Sequence, residues 1–130
     1  MDIVSAVFAE NINLRQVPGP ATRIDLTGIM FSTPAPRLPP VTITPHLIVL
    51  VRCRANEPGQ GTLEVVFTNE AGDEVARNVS PFSVEPGKFT YRLVKGELEF
   101  AELGTIEAQC RILPDGAPTV VPITLLAPES

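Results

Sequence analysis

Fourteen prolines and nine glycines are spread along a chain of 130 residues that is otherwise rich in valine, isoleucine and threonine. Proline removes a helix hydrogen bond and clashes with the preceding turn, while β-branched side chains suit a pleated surface. Short strands are the fold such a mixture favours. No segment carries a 3.6-residue apolar period over the length of a helix. Period-two alternation recurs between turn signals, as in a sandwich or barrel. The sequence predicts an all-β, single-domain fold over 1–130, a β-sandwich of about 7–9 antiparallel strands.

Residues 3–9 read as a first strand and 11–20 as a turn-rich connection, NINLRQVPGP. In 22–31, Ile24, Leu26 and Met30 face one way and Arg23, Asp25 and Thr27 the other, with a bulge expected at Gly28. Five prolines between Pro34 and Pro45 mark a crossing or edge segment. The strongest strands are 47–54 and 62–69. Alternation puts Leu47, Val49, Val51 and Cys53 on one face, and Leu63, Val65 and Phe67 on the matching face of the next strand. A weaker strand, 74–84, is broken at Pro81, and Phe89, Tyr91 and Leu93 define another. In 105–113, Ile106, Ala108, Cys110 and Ile112 point inward. The last strand, 120–126, carries Pro122, which suits an edge.

The apolar fraction of 44% is too high for a disordered chain. A net charge of −5, with basic residues spread thinly, offers no footprint for a nucleic acid backbone. The N-terminus has Asp2 where a secretory signal carries lysine or arginine, and no apolar run reaches membrane-spanning length. A cytoplasmic location is expected, with Cys53 and Cys110 as free thiols.

Residues 98–112, LEFAELGTIEAQCRI, resemble the E–F corner of immunoglobulin-like sandwiches, where an apolar run, a corner and a glycine lead into an alternating strand. With 47–54 as strand B and 105–113 as strand F, both cysteines lie on the strands that carry the immunoglobulin disulfide. The resemblance implies an immunoglobulin-like sandwich and brings a Cys53–Cys110 bond into consideration, which the cytoplasmic expectation opposes. The chain departs from the pattern at the corner tyrosine (Ile106), at the second cysteine (Ala108, with Cys110 two residues on) and in lacking tryptophan. Over nearly its whole length, through DIVSAVFAENIN, ATRIDLTGIMF, LIVLVRCR and TLEVVFTNEAGDEV, the chain also resembles a small bacterial β-sandwich family of unknown function. That resemblance implies fold and origin and no activity.

Candidate chemistry is thin. His46 and Cys53 lie on opposite faces of one strand, roughly 23 Å apart at 3.3 Å per residue, so they do not form a thiolate–imidazole pair. One histidine and two thiols without C-x-x-C spacing do not suggest a metal site. Glu97, Glu99, Glu102 and Asp115 lack the calcium-loop pattern and read as solvated acids. There is no G-x-S-x-G elbow or phosphate loop, and GQGT at 59–62 lacks the lysine. No catalytic residue, cofactor or metal is assigned, and the expectation is a non-enzyme. PAPRLPP at 34–40 contains a P-x-x-P step, read as a stiff crossing loop.

The most informative feature is an apolar surplus. Ile48 and Leu50 lie on the face opposite Leu47, Val49 and Val51, and Val66 does likewise in the next strand. A sandwich strand is apolar on one face. Either the N-terminal section covers the second face or another molecule does. The expected role is a protein-interaction or assembly module, most simply a homo-oligomer, with Ile48, Leu50 and Val66 in contact. The alternative is a small-ligand or carbohydrate-binding sandwich using loops 57–61 and 115–118.

Overall fold

The computed structural model describes residues 1–18 and 22–129, which form strands and turns with no helix among them. Its strands are β1 (Asp2–Gln16), β2 (Thr22–Met30), β3 (Ser32–Pro34), β4 (Val41–Ile43), β5 (His46–Arg52), β6 (Gln60–Thr68), β7 (Glu74–Ser83), β8 (Phe89–Lys95), β9 (Leu98–Phe100), β10 (Gly104–Leu113) and β11 (Thr119–Leu126). They build a first sheet in the order β2-β1-β5-β8 and a second in the order β3-β11-β10-β6-β7, with β4 and β9 paired at one end. All pairs are antiparallel except β3–β11. The two main sheets stack in a sandwich-like arrangement and do not close into a barrel.

Alternation sets the core. Leu47, Val49 and Val51 of β5 meet Leu63, Val65 and Phe67 of β6 and Ile106, Ala108 and Cys110 of β10, all essentially inaccessible to water. Phe8 adds the largest inward side chain from β1. Burying such side chains contributes roughly 1.5–3 kcal/mol each, so this inward face is the main source of stability. After β2 the chain crosses between the sheets at Phe31, whose carbonyl accepts from the Thr124 amide at 2.8 Å, and β3 then joins β11.

Three local expectations are corrected. Residues 11–16 continue β1, so a strand occupies the first part of the stretch expected to turn; residues 19–20 of that stretch lie outside the described residues. Gly28 has φ of 68° yet causes no register shift, because the β1–β2 pairing runs unchanged from Phe8↔Met30 to Gln16↔Thr22. The β1 irregularity lies between Ile3 and Ser5 instead. Pro81 does not break β7, since on this edge strand a missing donor leaves no ladder bond unmade. Pro122 sits where β11 has a free side, because β3 reaches only Thr124–Leu126.

Candidate interaction surface

β1 is 15 residues long, but β5 accompanies it only from Asp2 to Ala9. From Asn11 to Gln16 its only strand partner among the described residues is β2, through the pairs Asn11↔Thr27, Ile12↔Leu26, Asn13↔Asp25, Leu14↔Ile24, Arg15↔Arg23 and Gln16↔Thr22. The two strands therefore leave the sheet as a hairpin arm. The inward alternation of Phe8 and Met30 runs on along it, so Ile12, Leu14, Ile24 and Leu26 form one apolar face. None of these four packs against the core cluster, and Leu14 is 40% exposed.

The opposite face of the arm is polar. Arg15 grips Asp25 through two bonds, Nε to Oδ2 at 2.6 Å and Nη2 to Oδ1 at 3.2 Å. The Arg15 guanidinium, by hydrogen bond first, holds the Asp25 carboxyl below its ordinary range. Arg23 stands directly across from Arg15 and makes no ion pair among the described residues. The outer half of the arm therefore carries two arginines and one aspartate.

A cleft of ≈ 450 Å³ opens at the same end of the molecule. One wall is the 69–73 turn, in which Asn69 Oδ1 accepts from the amides of Ala71 at 3.0 Å and Asp73 at 2.9 Å. The other is the 99–104 corner between β9 and β10. Glu70 ties the walls together, accepting from the Thr105 amide at 2.7 Å. A Cβ on Gly104, whose φ is 150°, would stand 2.9 Å from that carboxylate, so the corner needs glycine. Val75, Phe100, Leu103 and Ile106 supply the apolar lining, and Glu99 and Glu102 add acid.

The interface residues expected from the sequence do not share a surface. Ile48 points away from the core but is 2% exposed, because Val7 and Leu93 flank it in the plane of the sheet. The N-terminal section thus lies beside β5, not across it. Leu50, next on the same face, is half-buried between Ser5 and Tyr91. Val66 lies on the outer face of the other sheet, beside Gln109 and Arg77. Its surroundings are polar: Glu64 accepts from Arg77 Nη1 at 2.7 Å and Arg111 Nε at 2.8 Å, and Gln109 donates to Thr68 at 3.3 Å. The arm was the feature missed. Its signal was the matching alternation Ile12/Leu14 and Leu26/Ile24 on either side of the VPGP stretch.

His46 is exposed at the start of β5 while Cys53 is buried just past its far end, so the structure keeps them apart. Cys53 and Cys110 are both free, and burial pushes the Cys110 thiol up to about 12. Asp115 lies at the opposite end of the molecule from Glu97, Glu99 and Glu102, and no three potential metal ligands gather among the described residues. Residues 35–40 do cross between β3 and β4, with Leu38 74% exposed. No described helix is long and apolar enough to cross a membrane. Loops 57–61 and 115–118 share the end away from the arm, near an open depression of ≈ 610 Å³ bordered by Gln60, Phe82 and Leu113.

No protein-family model, no curated protein and no solved structure matches this chain.

Proposed function

We propose that this protein is a non-catalytic assembly module that associates with further copies of itself. The observation that carries the reading is the arm: a two-stranded extension whose apolar face of Ile12, Leu14, Ile24 and Leu26 is not packed against the core cluster among the described residues, with Leu14 exposed and the other three half-buried. A two-stranded ribbon on its own is marginal in water, and packing against a further layer is what normally holds one in place. Another molecule supplies that layer. In the same reading the domain is immunoglobulin-like, supported by the order β1-β5-β8 opposite β11-β10-β6-β7, which follows A-B-E and G-F-C with one added strand; its membership of a small bacterial family rests on the sequence resemblance alone. Buried free thiols fit a reducing, cytoplasmic setting.

Sedimentation velocity on the wild type and on Leu14→Asp tests the role. The wild type sediments as an associating species and the variant shifts towards monomer with an unchanged far-UV spectrum. Equal behaviour of the two proteins would remove the arm from the account.

A second reading, ligand binding by the loops, draws on the depression near Gln60 and Leu113. It predicts a sugar or other small solute that raises the melting temperature of the wild type and not of Gln60→Ala. A solute screen without such a shift dismisses it.

A further inference from the structure

We infer that the arm of each molecule docks in the Glu70–Glu102 cleft of a second copy, and that the exchange is reciprocal. The inference rests on the assembly reading and names the surface that receives the arm.

Chemistry favours the match. The arm brings an apolar stripe on one face and, at the outer half of its opposite face, Arg23 beside Arg15, with no ion pair to Arg23 among the described residues. The cleft brings the exposed Leu103 and half-buried Val75, over a floor of the buried Phe100 and Ile106, together with Glu99 and Glu102, neither of which holds an ion pair among the described residues. Complementary charge of this kind steers encounter and fixes register. The arm is electrically neutral, with Glu10 and Asp25 against Arg15 and Arg23, so it meets the net charge of −5 on the receiving body without net repulsion.

Position sets the symmetry. β1 passes its last β5 partner, His46, at the end of the sandwich where β8 finishes at Lys95; β9 and the start of β10, which wall the cleft, lie at that same end. The arm extends the β1 side of the first sheet, whereas the cleft opens over β6, β7 and β10 of the second. Two copies meeting end to end about a two-fold axis place each arm against the other's cleft. An isologous contact of this kind closes at two, while an arm and a cleft at opposite ends would build an open filament. At about 3.3 Å per residue the free part of the arm reaches on the order of 20 Å, enough to cross the end of a small sandwich. Two arm footprints of a few hundred Å² each fall below about 1,200 Å², the range of weak, concentration-dependent contacts.

Cysteine pairs read the contact directly, because native Cys53 and Cys110 are buried and leave introduced thiols as the accessible ones. Leu14→Cys and Leu103→Cys both fall at exposed positions. After diamide oxidation, an equimolar mixture of the two full-length variants gives a disulfide dimer at least tenfold more abundant than either variant alone. Leu14→Cys linking to itself as well as it links in the mixture would overturn the inference in favour of arm-on-arm pairing. No link in the mixture, with wild type still dimeric by mass, would overturn the inference alone; a wild type monomeric at every concentration would overturn the assembly reading with it. Charge exchange gives an independent check. Arg23→Glu and Glu102→Arg each weaken self-association about tenfold, and the combined variant recovers most of the loss. Combined losses that simply accumulate would count against the pairing.

Discussion

Ile48→Asp separates a residue that faces outward from one that is available. Ile48 lies on the outer side of β5 but keeps only 2% of its surface, closed in by Val7 and Leu93. Replacing it forfeits roughly 2 kcal/mol of apolar burial. A carboxylate held there is desolvated without a partner, and the group limits that cost by taking up a proton. Neutralising an aspartate at pH 7 costs about 1.4 kcal/mol for each of the ~3 units between its ordinary pKa and the solution, or about 4 kcal/mol. The total, about 6 kcal/mol, rivals the whole stability of many domains of this size, about 5–15 kcal/mol. The sign in pH follows. The introduced carboxyl has a raised pKa when folded, so its penalty is small below its unfolded pKa and grows as pH rises above it. Urea unfolding followed by far-UV circular dichroism at pH 7.5 and 5.5 reads both effects. The variant is severely destabilised at pH 7.5 and recovers about 2–3 kcal/mol at pH 5.5 relative to wild type. A wild-type urea midpoint at pH 7.5 would refute the burial argument. Leu14→Asp, on the arm, is the control, with a change in core stability below about 1 kcal/mol.

Glu64→Ala breaks the bridge from β6 to Arg77 and Arg111, but both guanidinium groups are about half exposed and regain water. Urea unfolding should show a loss of about 1–3 kcal/mol, below the 3–5 kcal/mol of a fully buried pair. The Cys110 thiol should resist Ellman's reagent in the native protein and react once urea is added. Because its pKa rises from an ordinary 9.0 to about 12, the stability it contributes is intact below pH 9 and is lost as pH climbs towards 12. The slope is at most about 1.4 kcal/mol per pH unit, and Cys110→Ala should flatten it. Gly28→Ala forces a side chain onto a backbone with φ of 68° and sets a Cβ 2.7 Å from Glu10 Cδ. The Glu10 side chain is exposed and can swing aside, which leaves a backbone cost of roughly 1 kcal/mol on the arm. Sedimentation should show self-association weakened about fivefold with little change in the urea midpoint.

The sheets were legible because alternation is a local property. Leu47, Val49 and Val51 announced the inward face of β5, and Ile106, Ala108 and Cys110 that of β10, before any pairing was known. What covers an outward residue is not local. Ile48 is shielded by Val7 and Leu93, each more than forty positions away in sequence, so its burial follows from strand order and not from its own neighbourhood. Val66 was grouped with it as an outward apolar residue of the next strand, yet β5 and β6 belong to different sheets and turn these residues away from each other. The arm escaped notice because asparagine and the nearby Val-Pro-Gly-Pro stretch favour turns, and that preference masked a clean period of two in Asn11–Gln16. Tertiary register outweighed local propensity there. The cleft was illegible for the same reason as Ile48, since its acids come from two turns about thirty residues apart.

The most direct measurement is light scattering behind size-exclusion chromatography on the wild-type chain over a hundredfold range of concentration. Reciprocal arm exchange predicts a mass that rises from one chain at the lowest loading towards two chains at the highest and stops there. A mass of one chain at every loading would contradict self-assembly, and a mass that climbs past two without a plateau would contradict the closed two-fold exchange.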